Sequence, residues 1–186
     1  MLENSDFLIY PEFVSCRYSL WEFDKGGTLQ DILHLLKYGG YFDLGVELGA
    51  ILGNMLKTRK VLQAMFRDHE PLLVPVPLHR RRQRFRGYNQ AEAIALGVEQ
   101  STGWKRIHPT AVERVKDTVS QIGLSIGERR ENIRNAFRVH IGPEFKNFLP
   151  VIIDDVFTTG ATTFELAGQL VSEGAQQVAI GTIAQA

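Results

Sequence analysis

FLPVIIDDVFTTGATTFELAGQLVSE, residues 148–173, decides the fold. It passes from an apolar run through two carboxylates into a loop of small residues, and then into helical spacing. The run at 148–153 is short, β-branched and bounded by Pro150 and Asp154, which suits a buried parallel strand better than a helix. Phe164, Leu166, Ala167, Leu170 and Val171 then recur at roughly helical spacing, so a helix is predicted over 164–171. Between the two, Thr158, Thr159, Gly160, Ala161, Thr162 and Thr163 are small enough for backbone N–H groups to approach an anion, and the hydroxyls add hydrogen bonds. The helix dipole favours a phosphate at the same place. Strand, loop and helix together predict an anion cradle.

Asp154 and Asp155 are adjacent carboxylates expected at the end of that strand. Carboxylates so placed accept hydrogen bonds from the vicinal hydroxyls of a ribose, and approach magnesium directly or through water. The plainer alternative is that one faces solvent and the other caps the loop. A Walker phosphate loop needs Gly-Lys-Ser/Thr, and no lysine stands here.

These residues carry a resemblance. VIIDDVFTTGATT at 151–163 looks like the phosphoribosyl pyrophosphate (PRPP) signature of the type I phosphoribosyltransferases. More narrowly, VPVPLHRRRQRFRGYNQAE at 74–92 and RVKDTVSQIGLSIGERRENIRNAF at 114–137 resemble the ComF (competence protein F) branch of that superfamily. The likeness runs from about Val74 to the C-terminus, with a weaker echo at 35–56. It implies an α/β fold, a mostly parallel twisted sheet flanked by helices. A small N-terminal helical or irregular hood at 1–70 and a PRPP-binding core at 71–186 would form one compact unit.

The activity implied is transfer of a phosphoribosyl group from PRPP, with magnesium, to an unidentified base or amine, releasing pyrophosphate. The resemblance gives catalytic roles to Asp154, Asp155, Arg80 and Lys116. It assigns pyrophosphate contact to Pro77, Leu78, His79 and Arg80, where backbone amides and an arginine fork hold an oxyanion. The 5-phosphate falls to Thr158, Thr159, Gly160, Ala161 and Thr162. Arg114, Lys116, Thr118 and Gln121 fall on a lid that closes over PRPP and excludes water; an exposed linker is the alternative. The rival function is a non-catalytic PRPP-sensing or DNA-uptake accessory protein. A third reading has Arg80 to Arg86 bind single-stranded DNA with Phe85 and Tyr88 stacking.

With 186 residues and 44% hydrophobic composition, the chain is long enough for one α/β domain. Formal charge is zero, so no global attraction to nucleic acid or membrane is expected, yet Arg80, Arg81, Arg82, Arg84 and Arg86 concentrate positive charge locally. No apolar run approaches the roughly 20 residues needed to span a bilayer. The single cysteine, Cys16, fits a reducing cytoplasm. The four-cysteine zinc module frequent in the ComF group is not matched, so zinc is not carried over. A homodimer is the default oligomer.

Upstream, residues 1–25 scatter aromatics without periodicity, which suggests irregular chain or short strands. Thr28 is the expected N-cap of a helix over 29–38, followed by helices at about 42–56 and 61–67. His34 and Lys37 are expected in solvent, although either could reach a ligand from above. A strand at 72–76 delivers the arginine-rich segment to the carboxyl edge of the sheet, where open α/β sheets bind ligands. Asn89 should cap a helix over 90–100. Strands are expected at 111–115, 136–140 and 178–184, with a basic helix at 128–135.

Overall fold

In the computed structural model, residues 10–23, 26–117, 127–128, 133–141 and 143–186 are described. The apolar run of the diagnostic stretch forms a strand, and it runs four residues further than expected. In chain order the elements are β1 (Val14–Glu22), α1 (Thr28–Tyr38), α2 (Phe42–Lys57), α3 (Lys60–Met65), β2 (Glu70–Pro75), α4 (Arg80–Arg86) and α5 (Gln90–Thr102). They continue with β3 (Lys105–Arg106), β4 (Val112–Arg114), β5 (Phe137–Val139), a 3-10 turn (Pro143–Asn147), β6 (Phe148–Phe157), α6 (Ala161–Ser172) and β7 (Val178–Gln185).

Five strands form one parallel sheet in the order β1-β7-β6-β2-β3. This is the α/β, type I phosphoribosyltransferase-like architecture expected, with helices on both faces. β6 runs down the middle, which is why Leu149, Val151, Ile152 and Ile153 are all buried. On one face α1, α2 and α5 bury Leu36, Leu52, Ile94 and Val98 against Val151 and Ile153. On the other, α6 buries Leu166, Ala167 and Leu170 with Ile152 and Ile180. No helix among the described residues is long and apolar enough to cross a membrane.

Several local expectations need correction. Residues 14–22, where irregular chain or short strands were expected, form a single nine-residue edge strand. Its register against β7 shifts between Val14 and Cys16, which breaks the alternation a sequence reader looks for. Burial there pushes the Cys16 thiol up to about 12, so it is inert near neutral pH. Thr28 is the first helical residue, not the cap; Gly27 holds that position without a side-chain bond. The arginine-rich segment after β2 is the helix α4, closed by Gly87 at φ +83°. β4 and β5 do not join the main sheet but pair antiparallel as a separate ribbon. The expected basic helix at 128–135 lies mostly outside the described residues.

Helices α2 and α5 pack backbone against backbone. A Cβ on Gly49 would stand 2.0 Å from the Ile94 carbonyl oxygen, and one on Gly97 1.9 Å from that of Val46. The two helices thus lock at close range, fixing the start of α5 over the sheet edge.

Candidate ligand-binding site

The site follows from where two neighbouring strands stop. β2 pairs with β6 as far as Pro75 and Ile153, and Val76 N–H adds a last bond to the Ile153 carbonyl. β6 then continues to Phe157 with only β7 beside it. The chain leaves β2 through α4 and α5 toward β3, and leaves β6 through α6 toward β7, in opposite directions. Such a switch point opens a crevice at the carboxyl ends of the strands. A cleft of about 290 Å³ lies there, its walls including Lys37, Leu78, Arg82, Arg86, Gln90 and Arg114 as well as Asp154, Asp155, Thr158 and Thr162.

Alternation along β6 sends Val151 and Ile153 to one core and Ile152 to the other, and by the same rule Asp154 and Asp155 leave on opposite faces. Asp155 turns toward α1, where Lys37 Nζ lies 3.0 Å from its Oδ2. Asp154 Oδ1 accepts from the Asp155 N–H at 2.9 Å. Although Asp154 keeps some accessible surface, burial first and the adjacent Asp155 second push its carboxyl up to about 7, against the pull of Lys37 and Arg114. Burial alone would lower the Lys37 ammonium, but Asp155 and Asp154 outweigh it and hold that group above its ordinary value.

The loop after β6 is shaped by Gly160, at φ +74°. A Cβ there would stand 2.3 Å from the Phe164 ring, so only glycine fits. Gly160 is the N-cap of α6 and offers no side chain, and the first turn carries no acid. The leading N–H groups of α6 therefore face outward beside Thr158 and Thr162 with the positive end of the helix dipole behind them. Thr159 Oγ1 is buried without a hydrogen-bond partner.

Four cationic side chains line the cleft against two carboxylates. Arg82 and Arg86 lie one helical turn apart on α4, so they face the cleft together, while Arg81, Arg84 and Phe85 turn outward. Arg114 sits on β4 and is 9% exposed. Its pKa is lowered to about 10, chiefly by burial and then by Arg82. Guanidinium remains charged at neutral pH, so burial and the neighbouring Arg82 and Arg86 outweigh the pull of Asp154 and Asp117 on this group.

Of the residues singled out from sequence, the cleft gathers Leu78, Arg114, Asp154, Asp155, Thr158 and Thr162. Gly160 and Ala161 begin α6 beside it. Pro77, His79 and Arg80 line a neighbouring cleft of about 510 Å³, which shares Leu78, Asn89 and Arg114 with the first. His79 Nδ1 accepts from the Arg81 N–H at 3.4 Å as the cap of α4. Arg80 is exposed and pairs with Glu113 at 3.6 Å. Lys116 donates to the Arg134 carbonyl. Thr118 and Gln121, the other two residues named on the expected lid, lie outside the described residues.

Lys37, Arg82, Arg86, Asn89 and Gln90 were not singled out as site residues from sequence. Lys37 was expected in solvent, but α1 ends directly over Asp155. The Asn89 amide is buried, donating to the Val76 carbonyl at 3.0 Å and accepting from the Ala91 N–H at 3.1 Å. It ties the end of β2 to the start of α5. The signal for Arg82 and Arg86 was their i, i+4 spacing, which has meaning only once the segment is known to be helical. Among the described residues no three or more His, Cys, Asp or Glu side chains gather as a metal cage. The Asp154 and Asp155 carboxylates match what magnesium takes when substrate phosphates supply its other oxygens.

No protein-family model matches the chain. It is 38% identical over 117 residues to Competence protein F of Haemophilus influenzae, covering 61% of this chain and 50% of that protein. It is 31% identical over 160 residues to the DNA utilization protein YhgH of Escherichia coli K12, covering 84% and 67% respectively. Over 112 residues it is 26% identical to Competence protein ComFC of Bacillus subtilis, covering 59% of this chain and 42% of that protein. The chain thus spans half the length of the first of these relatives and about two thirds of the second.

Proposed function

Because the chain belongs to the competence protein F (ComF) family, we propose that it serves DNA uptake or utilization as an accessory protein whose cleft binds PRPP with magnesium. The observation that carries this reading is the composition of the cleft: open N–H groups at a helix start, two carboxylates, and a crowd of cations around one crevice. In this reading the 5-phosphate rests on the first turn of α6 with Thr158 and Thr162. Asp154 and Asp155 take the ribose hydroxyls. The pyrophosphate falls to Arg82, Arg86 and Arg114, whose crowding it relieves. Magnesium, when bound, would be held by Asp154 and Asp155 and would neutralise pyrophosphate charge. The outward face of α4, with Phe85 82% exposed beside Arg81 and Arg84, is the surface that would meet single-stranded DNA.

A second reading, phosphoribosyl transfer, is favoured by two carboxylates and a helix start meeting at one cleft. In it the bond from C1 to pyrophosphate breaks as the bond to the nucleophile forms, and a strand-end carboxylate takes the proton that an amine or ring nitrogen gives up. Against it, Arg80 and Lys116 are engaged away from the cleft. Pyrophosphate release, measured with PRPP, magnesium and a panel of bases and amines, separates the two. Binding without release under any acceptor supports the accessory role; acceptor-dependent release overturns it in favour of the enzyme.

A further inference from the structure

The wall of the cleft nearest α1 is made of donors. Lys37 Nζ and the Arg86 guanidinium have no acceptor atoms. Gln90 is 3% exposed, and its Oε1 is taken by Arg86 Nη1 at 2.9 Å. That bond fixes which way the amide points, and the remaining Nε2 is buried without a hydrogen-bond partner. The nearby Tyr88 hydroxyl donates to the Leu36 carbonyl, keeps its lone pairs, and interacts with the Gln90 side chain. The Arg86 guanidinium lies over the Tyr38 ring at 5.2 Å, which holds its plane.

The acids lining the cleft are Asp154 and Asp155, and Asp155 already sits on Lys37. Lys37 therefore holds a carboxylate supplied by the protein itself. If Asp155 swings to ribose hydroxyls or magnesium, Lys37 is left needing another acid.

We propose that Lys37 Nζ, the Arg86 guanidinium and Gln90 Nε2 form a subsite for the carboxylate of a second small molecule, which enters from the α1 side after PRPP has drawn Asp155 away. The inference rests on the PRPP reading of the same cleft. A carboxylate offers only acceptors to this wall and satisfies the orphan amide nitrogen. A neutral base that also carries N–H donors leaves those donors facing other donors, which costs it affinity. The exchange on Lys37 is one carboxylate for another, so no unpaired charge is created.

The test uses pairs of probes that differ in their carboxyl group: nicotinate and nicotinamide, orotate and uracil, anthranilate and aniline. Each is titrated calorimetrically into the full chain, with and without saturating PRPP and magnesium. At least one acid should bind, at least tenfold tighter than its neutral partner, and only when PRPP is present. Lys37→Arg should keep the preference, while Lys37→Met and Gln90→Glu should reduce it below threefold with the fold retained at the titration temperature, as read by circular dichroism. If PRPP binds but no acid is preferred, the subsite is wrong and the PRPP reading stands. If PRPP itself does not bind, both fall together.

Discussion

The α6 end of the cleft and the α4 end offer positive charge by opposite means. At α6 the donors are backbone N–H groups at the start of a twelve-residue helix, held in place by a glycine that no other residue replaces. At α4 they are arginine side chains on a seven-residue helix, aimed by helical phase. A backbone cradle is rigid and needs the right conformation; a side-chain cradle is adaptable and needs the right face. Substitutions should therefore break the first through folding and the second through charge.

The largest effect is expected at Gly160. A Cβ there meets the Phe164 and Phe157 rings and must take a left-handed φ, so Gly160→Ala should destabilise the protein by about 3 kcal/mol and abolish phosphate binding at α6. Chemical denaturation measures the first and calorimetry the second. Near wild-type stability would show that the loop has another conformation open to it.

The α4 end should respond differently. Removing two charged hydrogen-bonding partners with Arg82→Ala and Arg86→Ala should weaken PRPP binding by roughly 30- to 100-fold, about 2–3 kcal/mol, while the fold survives. Arg84→Ala with Phe85→Ala, on the outward face, should leave PRPP affinity within about twofold and lower affinity for single-stranded DNA in a salt-dependent way. Equal effects of the two pairs on PRPP would erase the distinction between the faces of α4.

A smaller effect is expected from pH. Asp154 is raised in the folded state, to about 7 from an ordinary 3.8, so folding favours its protonated form. Its contribution to stability is present in full below pH 3.8 and is lost as pH rises through about 7. The groups that set this are Asp155, Lys37 and Arg114. Asp154→Asn should flatten the fall in ligand-free stability between about pH 4 and 7, as read by denaturation at a series of pH values. An unchanged slope would place the titration elsewhere.

The same contrast governs how much was legible in the sequence. The strand, glycine loop and helix at 148–173 could be read because small residues and apolar spacing are themselves the conformation. The cap at Asn89 was legible for the same reason, since an asparagine before a helical run bonds its own backbone. The α4 arginines were visible as charge but not as direction. Helical phase splits them, sending Arg82 and Arg86 inward, and Arg80 to the next cleft. Lys37 was hidden because its partner lies 118 positions away in the chain, and only the packing of α1 over the sheet edge brings the two within 3.0 Å. The edge strand β1 was hidden by its bulge.

The most direct measurement is calorimetric titration of PRPP with magnesium into the wild-type chain and into a variant carrying Asp154→Asn and Asp155→Asn. Saturable one-to-one binding by the wild type, weakened at least tenfold in the variant, is the predicted result. No binding at millimolar PRPP, or equal binding by both proteins, would contradict the account.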